Sequence, residues 1–171
     1  MVSLRRTIAA CLLLIIVLTA GCGSANTENQ LPKSKPKDFN FVLNYGVNAI
    51  NELNTVKGTY TKDLVGDGTI TTGLKLSEKE MKNIYKEMRD IDILNYPAMF
   101  APESKSYQTP FPTYLIKIYY NGSEKRIYWV DDKDSKTKEA VRLRELFQKI
   151  HEIVIDKDEY KKLPPIKGGY V

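Results

Sequence analysis

The chain has 171 residues, with 26 Lys and Arg against 21 Asp and Glu, two cysteines and one histidine. One imidazole and two thiols leave no material for a His/Cys metal cluster or a disulfide framework. At 27% charged and 42% apolar residues, the bulk of the chain reads as an ordinary globular domain.

Arg5 and Arg6 form a short basic stretch ahead of Ile8 to Leu18, a run with no polar group except the Cys11 thiol. As a helix that run spans roughly 16 Å. A bilayer core of about 30 Å needs roughly 20 residues, so a secretory apolar region fits better than a membrane span. Leu18-Thr19-Ala20-Gly21-Cys22 then resembles a bacterial lipobox. Small residues at Ala20 and Gly21 let a peptidase close around the backbone, and Cys22 supplies the thiol that takes a diacylglyceryl group. The expectation is a signal peptide over 1–21, in which Cys11 is apolar filler, and a lipidated Cys22 that begins the mature chain.

Gly23 to Lys37 has one large apolar residue, Leu31, two prolines and no periodicity. Such a stretch cannot repay the entropy of ordering, so 22–37 reads as a lipidated cysteine followed by a disordered tether with a typical end-to-end distance of about 20 Å. Two acyl chains anchor stably where one is marginal. Lys33, Lys35 and Lys37 are placed either to rest on anionic headgroups or merely to solubilise the linker.

From Asp38 the pattern changes, and 38–171 reads as a single domain. Phe39, Phe41, Leu43 and Tyr45 alternate with Asn40, Val42 and Asn44, a strand with one apolar face. Thr55 to Val65 is rich in Thr and Tyr, Asp67-Gly68 marks a turn, and Thr69 to Leu76 continues as a strand, which predicts a hairpin. Ser77-Glu78-Lys79-Glu80 is a capping box. Met81, Ile84, Tyr85, Met88 and Ile91 follow at helical spacing, and the helix stops before Pro97. Tyr114 to Tyr120 and Lys125 to Val130 flank Asn121-Gly122, a second hairpin. A two-residue turn pairs Ile116 with Ile127 and opposes Lys117 to Arg126; a four-residue turn pairs Ile118 with Ile127 and avoids that repulsion. Lys136 to Val154 carries Ala140, Leu143, Phe147, Ile150 and Val154 on one stripe, a second helix capped through Asp134 or Ser135. Asp156 to Glu159 can cap one further turn before Leu163-Pro164-Pro165. Gly168 to Val171 is a tail, loose or added to a sheet edge. The order strands, helix, hairpin, helix predicts an α+β domain, a largely antiparallel sheet with two main helices on one face.

Chemistry-bearing patterns are few. His151 follows Phe147 by four at the edge of the apolar stripe and reads as a boundary residue, since no Gly-x-Ser-x-Gly elbow and no domain thiol accompany it. Asp131 to Ser135 suggests calcium, but an EF-hand loop begun at Asp132 puts Lys136, Thr137 and Leu143 at ligand and glycine positions. A charged turn fits better. Gly66-x-Gly68 is too short for a phosphate loop. Basic charge is modest and interspersed, which argues against nucleic acid. No cofactor, metal or nucleic-acid partner is expected.

Tyr96 to Thr113 holds four prolines, with Tyr96, Phe100, Tyr107 and Phe111 spaced along it. Long aperiodic loops are often binding loops, and proline with aromatics suits docking. The favoured reading is that these aromatics cover the core; the alternative is a binding loop. The eleven tyrosines bring cell-wall sugars or peptides to mind, although most fit strand rims.

Tyr45-Gly46-Val47, Asn54-Thr55, Gly58 to Asp63, Leu74 to Ser77, Ile91-Asp92, Tyr96-Pro97, Glu159 to Pro164 and Gly168 to Tyr170 together resemble a group of small uncharacterised lipoproteins from Bacillus-type bacteria. The resemblance covers nearly the whole mature chain. It implies a host with one membrane and attachment to the outer face of the cell membrane, and it carries no activity or catalytic residues. The expected function is a lipid-anchored, non-enzymatic module that binds a protein or cell-wall partner. The alternatives are an envelope hydrolase working through carboxylates, and an inhibitor or accessory subunit of a secreted enzyme.

Overall fold

The computed structural model describes residues 29–103 and 110–170. Cys22, Tyr107 and the 1–21 segment lie outside the described residues. Four strands come first: β1 (Asn40–Tyr45), β2 (Asn51–Asn54), β3 (Thr59–Asp63) and β4 (Thr69–Gly73). Helix α1 (Glu78–Asp90) and a 3-10 turn (Ile93–Asn95) follow, then the short β5 (Met99–Phe100), β6 (Thr113–Tyr120), β7 (Ser123–Val130), α2 (Lys138–Asp156) and a single turn α3 (Asp158–Lys161). The strands form one seven-stranded sheet in the order β4-β3-β2-β1-β6-β7-β5. Every pairing is antiparallel except β5 with β7. This is the α+β fold that the element order predicts.

Strand alternation gives the sheet one covered face. Phe41 and Leu43 of β1, Leu53 of β2, Tyr60 of β3, Ile116 and Ile118 of β6, and Ile127 and Trp129 of β7 are buried in one cluster with the apolar stripes of α1 and α2. The buried cluster runs from Leu31 to Val154, so the described residues carry one continuous core.

Local signals account for most elements. The capping box forms: the Ser77 hydroxyl accepts from the Glu80 amide, and the Glu80 carboxylate accepts from the Ser77 amide at 2.7 Å. The Asn121-Gly122 hairpin closes with a two-residue turn, both φ angles positive (48° and 72°), and sets Ile116 opposite Ile127 and Lys117 opposite Arg126. Two contacts favour that register despite the like charges. Arg126 pairs with Glu124, and the Asp38 carboxylate accepts from the amides of Asn121 and Gly122 at 3.0 and 2.8 Å. Those bonds hold Asp38 below the ordinary carboxylate pKa.

Four expectations change. First, β2 is an additional strand: the turn after β1 uses Gly46 at φ 93°, where a Cβ would meet the Asn51 side chain at 2.8 Å, and returns the chain at Asn51. Second, 55–58 is a turn, so β3 begins at Thr59. Third, α2 is capped by Thr137, whose hydroxyl accepts from the Ala140 amide at 3.3 Å. Asp131 instead lies 1% exposed and accepts two hydrogen bonds from Arg144, at 2.8 and 2.7 Å, which pins the end of β7 to α2.

Fourth, the expected disordered tether is seated from residue 29 onward. Leu31 is 3% exposed and belongs to the core. The Tyr85 hydroxyl donates to the Pro32 carbonyl at 2.7 Å, and Gln30 donates to Asp92 at 2.8 Å. Lys35 lies 3.5 Å from Glu78. Residues 29–37 therefore form a strap that runs antiparallel along α1, from its Asp92 end to its Glu78 end. One leucine inserted between helix and sheet does what periodicity would otherwise signal.

At the other end of the chain, the tail adds to the β3–β4 hairpin. Val65 and Lys167 form a parallel bridge, and the Tyr170 hydroxyl donates to Asp63 at 2.6 Å.

Candidate functional site

The segment after α1 turns its first two aromatics inward. Tyr96 is 5% exposed, and its hydroxyl donates to the Glu139 carbonyl of α2 at 2.9 Å. Phe100 is half-buried; its ring lies 5.2 Å from Tyr96 and 5.4 Å from Trp129. Both rings are packed within the fold, and both also line a cleft of about 330 Å³ with Pro97, Lys138 and Arg142. Phe111 is half-buried beside Pro112, which bridges to Val47. What the segment does expose is Met99, at 67%. Because β5 pairs in register with β7, Met99 falls next to Tyr128 on the open face while Phe100 falls next to Trp129 on the covered one. Exposed Val130 shares that open face. Alternation along 99–100 is the signal that separates the two, but a two-residue strand is too short to be recognised from sequence.

His151 sits in a polar cluster at the end of the sheet. Its Nδ1 lies 3.0 Å from the Tyr45 hydroxyl, which lies 2.7 Å from the Tyr60 hydroxyl; Asn51 accepts from Tyr60 at 3.4 Å. Burial pushes the Tyr60 phenol up to about 12 and Tyr45 higher still, while burial lowers the imidazole. The arrangement joins β1, β3 and α2 through Nδ1 of the half-buried imidazole, as expected of a boundary histidine.

A groove of about 610 Å³ runs between α1 and α2, floored by Ile84, Leu146, Ile150 and Ile153. Two ion pairs cross it, Lys157 to Glu80 at 2.7 Å and Lys149 to Glu87 at 2.9 Å. Burial alone would raise Glu80, but the Lys157 ammonium and the Ser77 amide and hydroxyl together hold its carboxyl below the ordinary value. Asp156, bonded to Lys161, is also lowered. The displaced carboxyls of the described residues, Asp38, Glu80 and Asp156, are all lowered by their hydrogen bonds and ion pairs. Among the described residues no three His, Cys, Asp or Glu side chains gather closely enough to hold a metal ion.

A basic concavity lies where the strap meets the sheet. Lys35, Lys37, Lys57 and Lys75 surround a cleft of about 360 Å³, with Glu78 as its acid. The strap lysines are legible in the sequence as a basic stretch. Lys57 and Lys75 are not, because they join the strap lysines only through the β2–β3 turn and the exit from β4. Compared with models of known families, with curated proteins and with solved structures, the chain matches none of them.

Proposed function

We propose that this chain is a lipid-anchored binding module at the outer face of the cell membrane, with no catalytic role. The observation that carries the reading is Leu18-Thr19-Ala20-Gly21-Cys22 behind a basic start and an eleven-residue apolar run. The fold supports it in two ways. The histidine is bonded into the fold through Nδ1, and the displaced carboxyls are lowered, which suits binding better than proton transfer. The seated strap leaves only seven residues between Cys22 and Gln30, at most about 28 Å of chain, so a lipid on Cys22 would hold the domain close to the bilayer. The open face carrying Met99 and Val130 is the surface that suits a protein partner, since exposed apolar groups on a sheet face favour docking.

The test is the fate of Cys22. Mass spectrometry of the native protein should find an N-terminal Cys22 with a diacylglyceryl thioether, in the membrane fraction. Cys22→Ala should accumulate as unprocessed precursor or leave the membrane. A Cys22→Ala protein recovered as a cleaved species in the membrane fraction, in the same amount as wild type, would overturn the proposal.

A further inference from the structure

We propose that the lysine cleft and the adjoining Val56 turn form the face on which the domain rests against an anionic phospholipid bilayer, an inference that builds on the proposed membrane anchoring. The turn between β2 and β3 is tightly held. Thr55 donates its amide to the Phe41 carbonyl at 3.0 Å, and its hydroxyl accepts from the Phe41 amide at 2.8 Å. The Lys57 amide donates to the Asn54 side chain at 3.0 Å, and the Gly58 carbonyl accepts from the Leu74 amide at 2.9 Å. This rigid turn nevertheless leaves Val56 60% exposed at its tip. An apolar side chain fixed in water costs hydration free energy unless something covers it.

The charges around Val56 identify the cover. Val56 lines both the lysine cleft and a shallow depression of about 480 Å³ on the open sheet face, and Lys57 lines both as well. The Lys75 stem lies across Gly58, where an added Cβ would meet its Cγ at 3.1 Å. Lys35 is 3.5 Å from Glu78 and 6.0 Å from the centre of the Phe39 ring. Lys35 is thus largely covered and paired with Glu78, which leaves Lys37, Lys57 and Lys75 exposed around the cleft. The nearby Asp38 is turned to the Asn121-Gly122 amides. A protruding apolar residue ringed by lysines matches the two layers of a membrane surface, anionic phosphates outside and acyl chains beneath.

Length permits the arrangement. Chain descends from the Asp92 end of α1, and the cleft lies at the Glu78 end, about 20 Å away along the thirteen-residue helix. The stretch from Cys22 to Gln30 can reach about 28 Å, so the acylated cysteine and the cleft can meet the same bilayer. Each lysine near an anionic surface strengthens binding about five-fold. Three exposed lysines and a shallow valine give an association constant on the order of 10³ M⁻¹. That is too weak to retain a free domain and enough to orient one that is already anchored.

The test uses residues 23–171, which contain the whole described core, without acylation, so that its result does not depend on Cys22. Sedimentation with vesicles of phosphatidylglycerol and phosphatidylcholine at millimolar lipid should carry the protein down, and pure phosphatidylcholine vesicles should not. Raising salt from 50 to 500 mM should release it. Lys→Gln at 37, 57 and 75 together should lower the association constant about a hundred-fold, and Val56→Ser about five- to tenfold. Both variants are checked for wild-type thermal unfolding, and Val56→Ser, on the surface, keeps the test open if the triple variant unfolds. Failure to bind anionic vesicles, or undiminished binding by a folded variant, would overturn the proposal. So would equally tight binding of soluble glycerol phosphate, which would assign the cleft to a free phosphate ligand instead.

Discussion

Two aperiodic, proline-bearing stretches lie on the helix layer, and they reach it by different means. Residues 29–37 bring one apolar side chain, Leu31, and let α1 supply the polar contacts through Tyr85 and Asp92. Residues 96–100 bring two aromatic rings, pack Tyr96 on Phe100 and Phe100 on Trp129, and add a strand to the sheet edge. The first looks like a linker in composition and the second like a binding loop; both serve as walls of the core. Lack of period forecasts lack of regular structure, but it does not forecast lack of packing. A single buried side chain with satisfied backbone carbonyls offsets much of the entropy of ordering a short stretch, and proline reduces that entropy in advance.

The strongest break in this comparison is Tyr96→Ala. It empties a buried aromatic site, removes the hydrogen bond to Glu139, and deprives Phe100 of its neighbour. A loss of about 4 kcal/mol in urea denaturation is expected; a loss below about 1 kcal/mol would mean that the 96–100 segment is detached and free to bind. Leu31→Ala asks the same of the strap. An integral strap loses about 3 kcal/mol, whereas a true tether would lose less than about 0.5 kcal/mol, as ordinary surface positions do. The variant should also speed amide exchange at residues 30–35, since a strap pinned by one side chain opens as a unit.

The physical reason for what the sequence reveals is visible in the same elements. Helix α1 is legible because its signal is local: Ser77 and Glu80 cap it, and Met81, Ile84, Tyr85 and Met88 repeat on one face within thirteen residues. The Asn121-Gly122 hairpin is equally local, although its register needed Asp38, a residue some eighty positions away. Strand β2 was hidden because Asn51-Glu52-Leu53-Asn54 holds one apolar residue; it is a strand because β1 and β3 flank it on both sides. The cap of α2 was misplaced because Asp134, Ser135 and Thr137 compete within one turn, and Asp131, near the same turn, is drawn to Arg144. Of the lysine cleft, Lys35 and Lys37 stood out as a basic stretch, whereas Val56 was hidden in what read as a strand. The juxtaposition of three separate segments is a product of the fold and leaves no contiguous trace.

Removing single hydroxyls gives the smallest and most selective test of the two walls. Tyr85 donates to the Pro32 carbonyl of the strap and Tyr96 to the Glu139 carbonyl of α2, so Tyr85→Phe and Tyr96→Phe should each cost about 1 kcal/mol at pH 7. Alkaline pH then separates them. Burial pushes Tyr96 up to about 12, with Glu139 adding to the shift and Arg142 opposing it; burial also raises Tyr85, offset by Arg89. A phenol raised in the folded state is protonated there while its unfolded counterpart, near 10, ionises. The stability it confers is therefore complete below pH 10 and is lost as pH climbs from 10 through 12. Tyr96→Phe removes that loss, so its stability curve should converge on the wild-type curve across this window. Tyr85→Phe should converge less, because Arg89 already favours the phenolate there. Parallel curves for wild type and Tyr96→Phe up to pH 12 would show that the hydroxyl is solvated, and the wall at 96–100 would then be looser than the strap.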